Sequence, residues 1–336
     1  MDRRPTIIDV ARHSGVSKST VSLVLQNSPA VKAETRAQVR RSMEEIGYVY
    51  NRAAATLRSA TTGLVGLVIN DLRNPFFAEF ATSLQMALSE RGLAAVVANT
   101  DESIATQEQV IGAMIEHGVA AVIVSPAYGE GAGGFDALER AGIPAMQVLR
   151  RGDTRTDLFP FASPDYLEGG RRATEHLIEM GARRIAFAGG LPERAVTLRR
   201  MQGYRDVLAA AGLPELILTG RSTRAFGREL GARLPRDHPQ VDGVVCFNDL
   251  VALGVMSGCH EVGRGIGPGG LSIVGFDDIE ECAQVWPPLS SVRCDIAAFG
   301  EQIARVVLDR IGAGSWPWSE WVSPVSLSLR ASSTPA

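Results

Sequence analysis

Short polar side chains stand among valines near the start of the chain: Lys18, Ser19, Thr20 and Ser22 lie between Val16, Val21 and Val24. Such side chains reach phosphates or base edges at little cost in rotamer entropy, so the segment reads as a face that meets nucleic acid. The same pattern also suits the solvated side of a small helical bundle. A second set recurs further on: Asn70-Asp71, Asn99-Thr100, Asn248-Asp249 and Asp277-Asp278. Each pair can donate to or accept from a hydroxyl-rich small molecule, and each taken alone also suits a helix cap or loop. Gly129-Glu130-Gly131-Ala132-Gly133-Gly134 contains a formal G-x-G-x-x-G. Ser125-Pro126-Ala127-Tyr128 separates it from the preceding strand and precludes the tight turn that seats a pyrophosphate, so a loop is expected. Cys246, Cys259, Cys282 and Cys294 form no C-x-x-C pair and no zinc-type cluster with the histidines. They are expected to be reduced core thiols, with no metal and no cofactor.

The polar face needs a scaffold. Thr6, with Asp9 three residues on, predicts a helix start through Ile7, Ile8, Val10 and Ala11, ending near Ser14-Gly15. Ser17 then caps a second short helix through Leu25. Ala11 lets the two helices approach, Gly15 takes the left-handed turn, and Val10, Val16, Val21 and Val24 form the seam, which is helix-turn-helix spacing. A third helix is expected from Lys32 to Ile46, stopped by Gly47, and an Ala-rich stretch, Asn51 to Arg58, follows as a helical connector. From Gly63 onward β-type runs alternate with amphipathic runs, and the rhythm restarts after residue 160. Two similar α/β halves with parallel sheets follow, and the polar pairs fall at strand ends, where such sheets bind ligands.

Charge divides along the same line. Residues 1–60 carry ten Lys/Arg against five Asp/Glu, whereas the whole chain nets −3, so a basic head precedes an acidic body. The 336 residues and 45% hydrophobic content allow two or three folded bodies. Apolar runs fall far short of the ~20 residues that span a membrane, and no export segment is visible at the N-terminus, so a cytoplasmic protein is expected.

The run Thr6-Ile7-Ile8-Asp9-Val10-Ala11 through Gly15-Val16-Ser17-Lys18-Ser19-Thr20-Val21-Ser22, then Thr35-Arg36, Gly47-Tyr48 and Asn51-Arg52-Ala53-Ala54, resembles the lactose-repressor/galactose-repressor family. The resemblance continues through Asn74-Pro75-Phe76-Phe77, Gly169-Gly170, Gly203-Tyr204-Arg205, Asn248-Asp249 and Gly275-Phe276-Asp277-Asp278. It implies a small all-α helix-turn-helix head on an α/β body of two doubly wound parallel-sheet lobes, like periplasmic binding proteins. Residues 1–50 would be the DNA-binding domain and 51–61 a hinge helix and linker. Residues 62–161 with 293–321 would form one lobe and 162–292 with 322–330 the other. DNA contacts would come from Thr6, Ser17, Lys18, Ser19, Thr20, Ser22, Leu23, Asn51, Ala54 and Leu57, with Lys18 and Ser19 as the base-reading pair. Leu57 would wedge into the minor groove and kink the duplex. Leu23 stands where several relatives carry Arg, so it would meet a thymine methyl rather than hydrogen-bond a base. Effector-lining positions fall on Phe76, Glu168, Arg194, Arg200, Asn248 and Asp277. Ser222 replaces an aromatic platform found in relatives, and Arg221 and Arg224 beside it turn the expectation toward an anionic effector as well as a sugar-like one. A homodimer on a pseudo-palindromic operator, acting as a repressor under effector control, is the implied function.

Two rivals compete with this reading. An enzyme would need catalytic signatures, and no Walker motif, G-x-S-x-G or H-E-x-x-H occurs. A periplasmic ligand-binding protein would share the body but lack the basic head.

Overall fold

The computed structural model describes residues 3, 5–25, 28–49, 62–129 and 133–335. The chain divides into two compact units, Met1–Thr62 and Gly63–Ala336. The first holds α1 (Ile7–Ser14), α2 (Lys18–Leu25) and α3 (Ala33–Glu45). The Thr6 amide (2.8 Å) and hydroxyl (2.7 Å) both donate to the Asp9 carboxylate, which starts α1. Gly15, at φ +67°, ends it in the left-handed conformation. Ser17 Oγ accepts the Thr20 amide at 3.1 Å and so caps α2. Val10, Val21, Val24 and Val39 are the buried centre, with Ile7, Ala11, Val16, Met43 and Ile46 packed around them. The expected hinge at 51–61, and with it Asn51, Ala54 and Leu57, lies outside the described residues.

The second unit builds two six-stranded sheets from βα repeats. In chain order the first lobe has β1 (Leu64–Ile69), α4 (Pro75–Ser89), β2 (Ala94–Asn99), α5 (Ile104–Glu116), β3 (Ala121–Val124), α6 (Phe135–Ala141), β4 (Ala145–Val148) and β5 (Phe161–Pro164). The second lobe has α7 (Tyr166–Glu179), β6 (Ile185–Ala188), α8 (Ala195–Ala210), β7 (Ile217–Leu218), α9 (Arg224–Asp237), β8 (Gly243–Cys246), α10 (Asp249–Glu261), β9 (Ser272–Asp277), α11 (Glu281–Gln284) and β10 (Ser290–Arg293). The chain then adds α12 (Ile296–Ala313) and β11 (Glu320–Ser323) to the first lobe and closes with β12 (Ser326–Ser328) in the second sheet. The sheet orders are β11-β5-β4-β3-β1-β2 and β12-β10-β9-β8-β6-β7, and only β12 runs antiparallel to its neighbour.

The chain therefore passes between sheets three times, but the first passage follows Pro164 rather than the expected Phe161. Strand β5 must run through Pro164 to pair with β11, Phe161 opposite Glu320 and Pro164 opposite Ser323. The second passage follows Arg293 rather than Val292, and the third follows Ser323, two residues beyond the expected 321. The four cysteines are buried and unpaired.

One helix pair sets the geometry of the second lobe. Helices α9 and α10 meet through Gly227 and Gly231 on one side and Gly254 and Gly258 on the other, where a Cβ on Gly258 would stand 2.1 Å from the Arg228 carbonyl oxygen. Gly258→Ala must push the helices apart and is expected to destabilise the body by about 1–3 kcal/mol. Thermal unfolding checks this: a midpoint within about 1 °C of the parent would mean the contact is soft, since each kcal/mol moves a body of this size by roughly 2–4 °C.

Candidate functional site

Helix α2 turns Val21 and Val24 inward and leaves Lys18, Ser19 and Leu23 exposed, Leu23 at 37%. Thr20 and Ser22 are half-buried on its flanks. The Ser17 hydroxyl lies 2.7 Å from that of Ser19 and 2.8 Å from that of Thr20. Ser17 and Thr20 thus act first as parts of a cap, while Lys18 has no ion-pair partner among the described residues. Thr6 is likewise engaged with Asp9, whose carboxyl is held below its usual range mainly by the Thr6 hydroxyl and then by its amide. What remains outward is one cation, one hydroxyl and one apolar side chain within a single turn and a half of helix, a face suited to the major groove.

In the body, the carboxyl ends of both sheets face a cavity of about 130 Å³. Asn74, Phe76, Glu102 and Arg150 line it from the first lobe, and Tyr166, Arg200, Ser222, Phe247, Asn248 and Asp277 from the second. Asn74 caps α4 by accepting the Phe76 amide at 3.2 Å, which fixes the Phe76 ring edge-on to Phe77. Asn248 caps α10, accepting the Val251 amide at 3.0 Å, so it is a structural cap that also faces the cavity. Asn70 and Asn99 are tied to loop backbone at Pro126 and Leu72. A larger open hollow of about 960 Å³ runs along α4 and α12 and also takes in Asp277, Asp278 and Arg293, whereas Arg200 and Asn248 line only the smaller cavity of the two.

Arg200, on the first turns of α8, is its centre. Its guanidinium carbon sits 3.6 Å from the ring centroid of Phe276, 4.7 Å from Phe247 and 4.9 Å from Tyr166. One terminal nitrogen donates to the Phe247 carbonyl and the other to Asp277 Oδ1 at 3.4 Å. The Nε, equally buried, has no partner. A charge so enclosed needs compensation, which Asp277 supplies in part, and one donor is left unspent in the buried site. Asp277 ends β9 at φ +118° and Asp278 follows at +61°, backbone angles that turn the strand end sharply. Burial raises the Asp277 carboxyl, against the opposing pull of Arg200. Burial and then the charge of Asp277 raise Asp249, which holds the turn by accepting the Ile279 amide at 2.9 Å and the Ser291 hydroxyl at 2.6 Å.

Of the six effector positions expected from sequence, Phe76, Arg200, Asn248 and Asp277 line this cavity together. Glu168 is turned to Arg172 (2.8 Å) and Arg171 (3.7 Å) on its own helix. Arg194 stacks on the Tyr128 ring at 4.4 Å, beside the cavity rather than in its lining. Arg224 is paired with Glu281 at 2.7 Å, so it adds no free cation near Ser222. Asn74 belongs to the Asn74-Pro75-Phe76-Phe77 run that carries the resemblance, whereas Arg150 and Glu102 carried no sequence signal beyond standing after strands. Gly133 and Gly134 take positive φ in a loop that Gln107 anchors through the Gly133 carbonyl at 2.7 Å. Among the described residues no cluster could hold a metal ion.

Residues 6–51 match the family model of bacterial regulatory proteins, lacI family, and residues 174–333 match that of a periplasmic binding protein-like domain. The chain is 34% identical over 317 residues to the HTH-type transcriptional regulator CelR of Thermobifida fusca, covering 92% of each. It is similar to the structure of a transcriptional regulator CelR–cellobiose complex, with TM-score 0.73, 31% identity and coverage of 98% of this chain and 100% of that one. The fold also matches the lac repressor dimer bound to operator and an anti-inducer, with TM-score 0.84 at 24% identity, covering 98% and 99% of the two chains.

Proposed function

The chain belongs to the lacI family of bacterial regulatory proteins and is a DNA-binding transcriptional regulator, and from this we propose that it is a repressor controlled by a neutral, sugar-like effector in the interlobe cleft. The observation that carries the effector reading is Arg200, buried in an aromatic cage and lining a cavity to which both lobes contribute. Flat rings beside convergent donors and acceptors suit a polyhydroxylated ring, apolar on its faces and polar at its rim. Neutrality follows from pairing: Arg200 is answered by Asp277, Arg150 by Glu102 at 2.7 Å, and Arg224 by Glu281. Neither cation of the lining is left over for a phosphate or carboxylate, and Arg221, beside Ser222, is exposed and lies outside the lining. The similar structure of a transcriptional regulator CelR–cellobiose complex supports the sugar class. Glu168 and Arg194 then act around the site, through their own ion pairs and through Tyr128.

Lys18, Ser19 and Leu23 would read the operator, with Thr6, Ser17, Thr20 and Ser22 shaping the backbone contact. Two copies would bind two half-sites. Strand β2 supports the dimer: it is a sheet edge with Val96 and Val97 each about 40% exposed, an apolar edge that a second copy would cover. Family members are transcriptional regulators, and the buried acids Asp249 and Asp277 serve here to hold a turn and an arginine rather than to do chemistry. No helix of the described residues is long and apolar enough to cross a membrane, and we place the chain in the cytoplasm, where its operator is.

Selection from a random duplex library at near-physiological salt tests the DNA half. The full chain should enrich a symmetric motif with a fixed centre, which charge alone cannot produce. Enrichment without symmetry would remove the dimer, and no enrichment would remove the reading face. Titrating the operator complex with neutral sugars and their phosphorylated counterparts tests the effector half. A response confined to the phosphorylated compounds would overturn the neutral-ligand reading.

A further inference from the structure

Among the described residues, four aromatic rings line the cavity of Arg200: Phe76, Phe77, Tyr166 and Phe247. The first three are buried, and Phe247 alone of the four is half-buried, with part of its surface still accessible. A ring can offer a ligand only the surface it has left, so the four are not equivalent. Phe247 stands at the carboxyl end of β8, immediately before the Asn248 that caps α10. Its backbone is pinned on both sides, the amide donating to the Ala188 carbonyl at 2.7 Å and the carbonyl accepting from Arg200. The ring is placed by what lies against it. The Arg200 guanidinium carbon is 4.7 Å from its centroid. Gly189 and Gly190, at φ +88° and +74°, follow the neighbouring strand β6, and a Cβ on Gly190 would stand 2.6 Å from Phe247 Cδ2 and 2.7 Å from Thr197 Oγ1. Glycine is required there both by conformation and by space, and its missing side chain is what lets the ring sit where it does.

We propose that Phe247 is the stacking surface of the cleft, the side chain against which a pyranose lays its C–H face, and so the residue by which the site tells a closed sugar ring from an open-chain polyol. The proposal rests on the reading of this cavity as the site of a neutral, sugar-like effector. A pyranose carries hydroxyls around its rim and C–H groups on its faces, whereas an alditol carries a comparable set of hydroxyls on a chain with no face. Arg200, Asn248 and Asp277 supply polar partners that serve either compound. An accessible aromatic ring favours only the ligand with a flat apolar face. Because its backbone is bonded on both sides and its ring lies against Gly190 and Arg200, Phe247 loses little freedom when a ligand meets it, which keeps the cost of binding low.

Phe247→Leu keeps apolar bulk and removes the flat face, whereas Phe247→Trp keeps a face. Calorimetric titration of the full-length protein with D-glucose, D-galactose, D-xylose and cellobiose, and with the alditols of the three monosaccharides, reads the effect, with circular dichroism to confirm folding. The parent should bind at least one ring sugar and prefer it to the matching alditol. The leucine variant should bind that sugar about tenfold more weakly, the equivalent of one lost stacking contact, with its alditol affinity unchanged, so that the preference shrinks. The tryptophan variant should keep the preference. Ring-sugar affinity equal to the parent's in the leucine variant overturns the proposal and leaves the sugar reading standing. A loss shared equally by ring and alditol also overturns it, since Phe247 would then act only by holding Arg200. A parent that binds none of these compounds removes the sugar reading and the stacking role together. Should the leucine variant fail to fold, the tryptophan variant decides. None of Trp286, Trp316, Trp318 and Trp321 lines the cavity, so a change of emission seen in the variant and not in the parent reports on position 247. That change should accompany ring sugars and not alditols, and its absence on addition of a sugar that binds overturns the proposal.

Discussion

Arg200→Met is expected to leave operator binding in place and to raise the effector concentration needed for half-maximal response by about 10- to 100-fold, the equivalent of one charge-assisted hydrogen bond lost from a ligand contact. Methionine is the informative replacement because its flexible thioether can fill the space among Phe276, Phe247 and Tyr166. The variant also strands a carboxylate. Asp277 is 5% exposed and Arg200 is its ion-pair partner, so removing the cation alone should cost about 3–5 kcal/mol of stability. The pH dependence gives this a sign. Burial already raises the Asp277 carboxyl and Arg200 opposes it, so the variant raises the folded-state pKa further above the unfolded value. The folded state then binds the extra proton, and stability present at low pH is lost as pH rises through the shifted value. Adding Asp277→Asn should restore most of the thermal midpoint and remove that slope without restoring the effector response. Thermal unfolding across pH, paired with effector titrations of an operator complex, separates the two roles. A single variant that responds at the parent's effector concentration would remove Arg200 from the site.

Much of this arrangement was legible in the sequence because it rests on local rules. Thr6 with Asp9, Ser17 with Thr20, and Gly15 are caps and turns whose partners lie within a few residues, and all three act as their spacing implies. The alternation of β-type and amphipathic runs likewise carried the two lobes, since a buried parallel strand and its covering helix each announce themselves. The cleft was legible only in part. Asp277 stood in a polar pair at a strand end, and Arg200 came only from the family resemblance, yet a helix position alone does not say which way a side chain leans. Glu168 turns along its own helix because Arg172 stands four residues on, a local pair that competes with the cleft. Tyr128 entered the sequence reading only as a spacer before a glycine run. Its ring meets Arg150 and Arg194, residues 22 and 66 positions away in sequence on two lobes, and no periodicity connects them.

Leu23→Arg is expected to rewrite one operator position rather than to strengthen binding everywhere. Leu23 is exposed on α2, one helical turn after Ser19, so both side chains lie on the outward face. A leucine there can only contact a thymine methyl, whereas an arginine can form two hydrogen bonds to guanine, and a good pair of this kind discriminates by about 1–3 kcal/mol, or roughly 10- to 100-fold. Selected motifs for the parent and the variant should therefore differ at one symmetric pair of positions, thymine giving way to guanine, with the rest of the motif unchanged. The alternative placement, with residue 23 over the sugar-phosphate backbone, makes a different prediction. The substitution would then raise affinity for every sequence alike, and the salt dependence would steepen by about 0.9 for each added phosphate contact per subunit. Equilibrium binding to the two matched operators over a salt series tells these apart. A steeper slope with an unaltered motif would move the reading of that base to Lys18 or Ser19, whereas an altered motif with an unaltered slope would place Leu23 at a base edge.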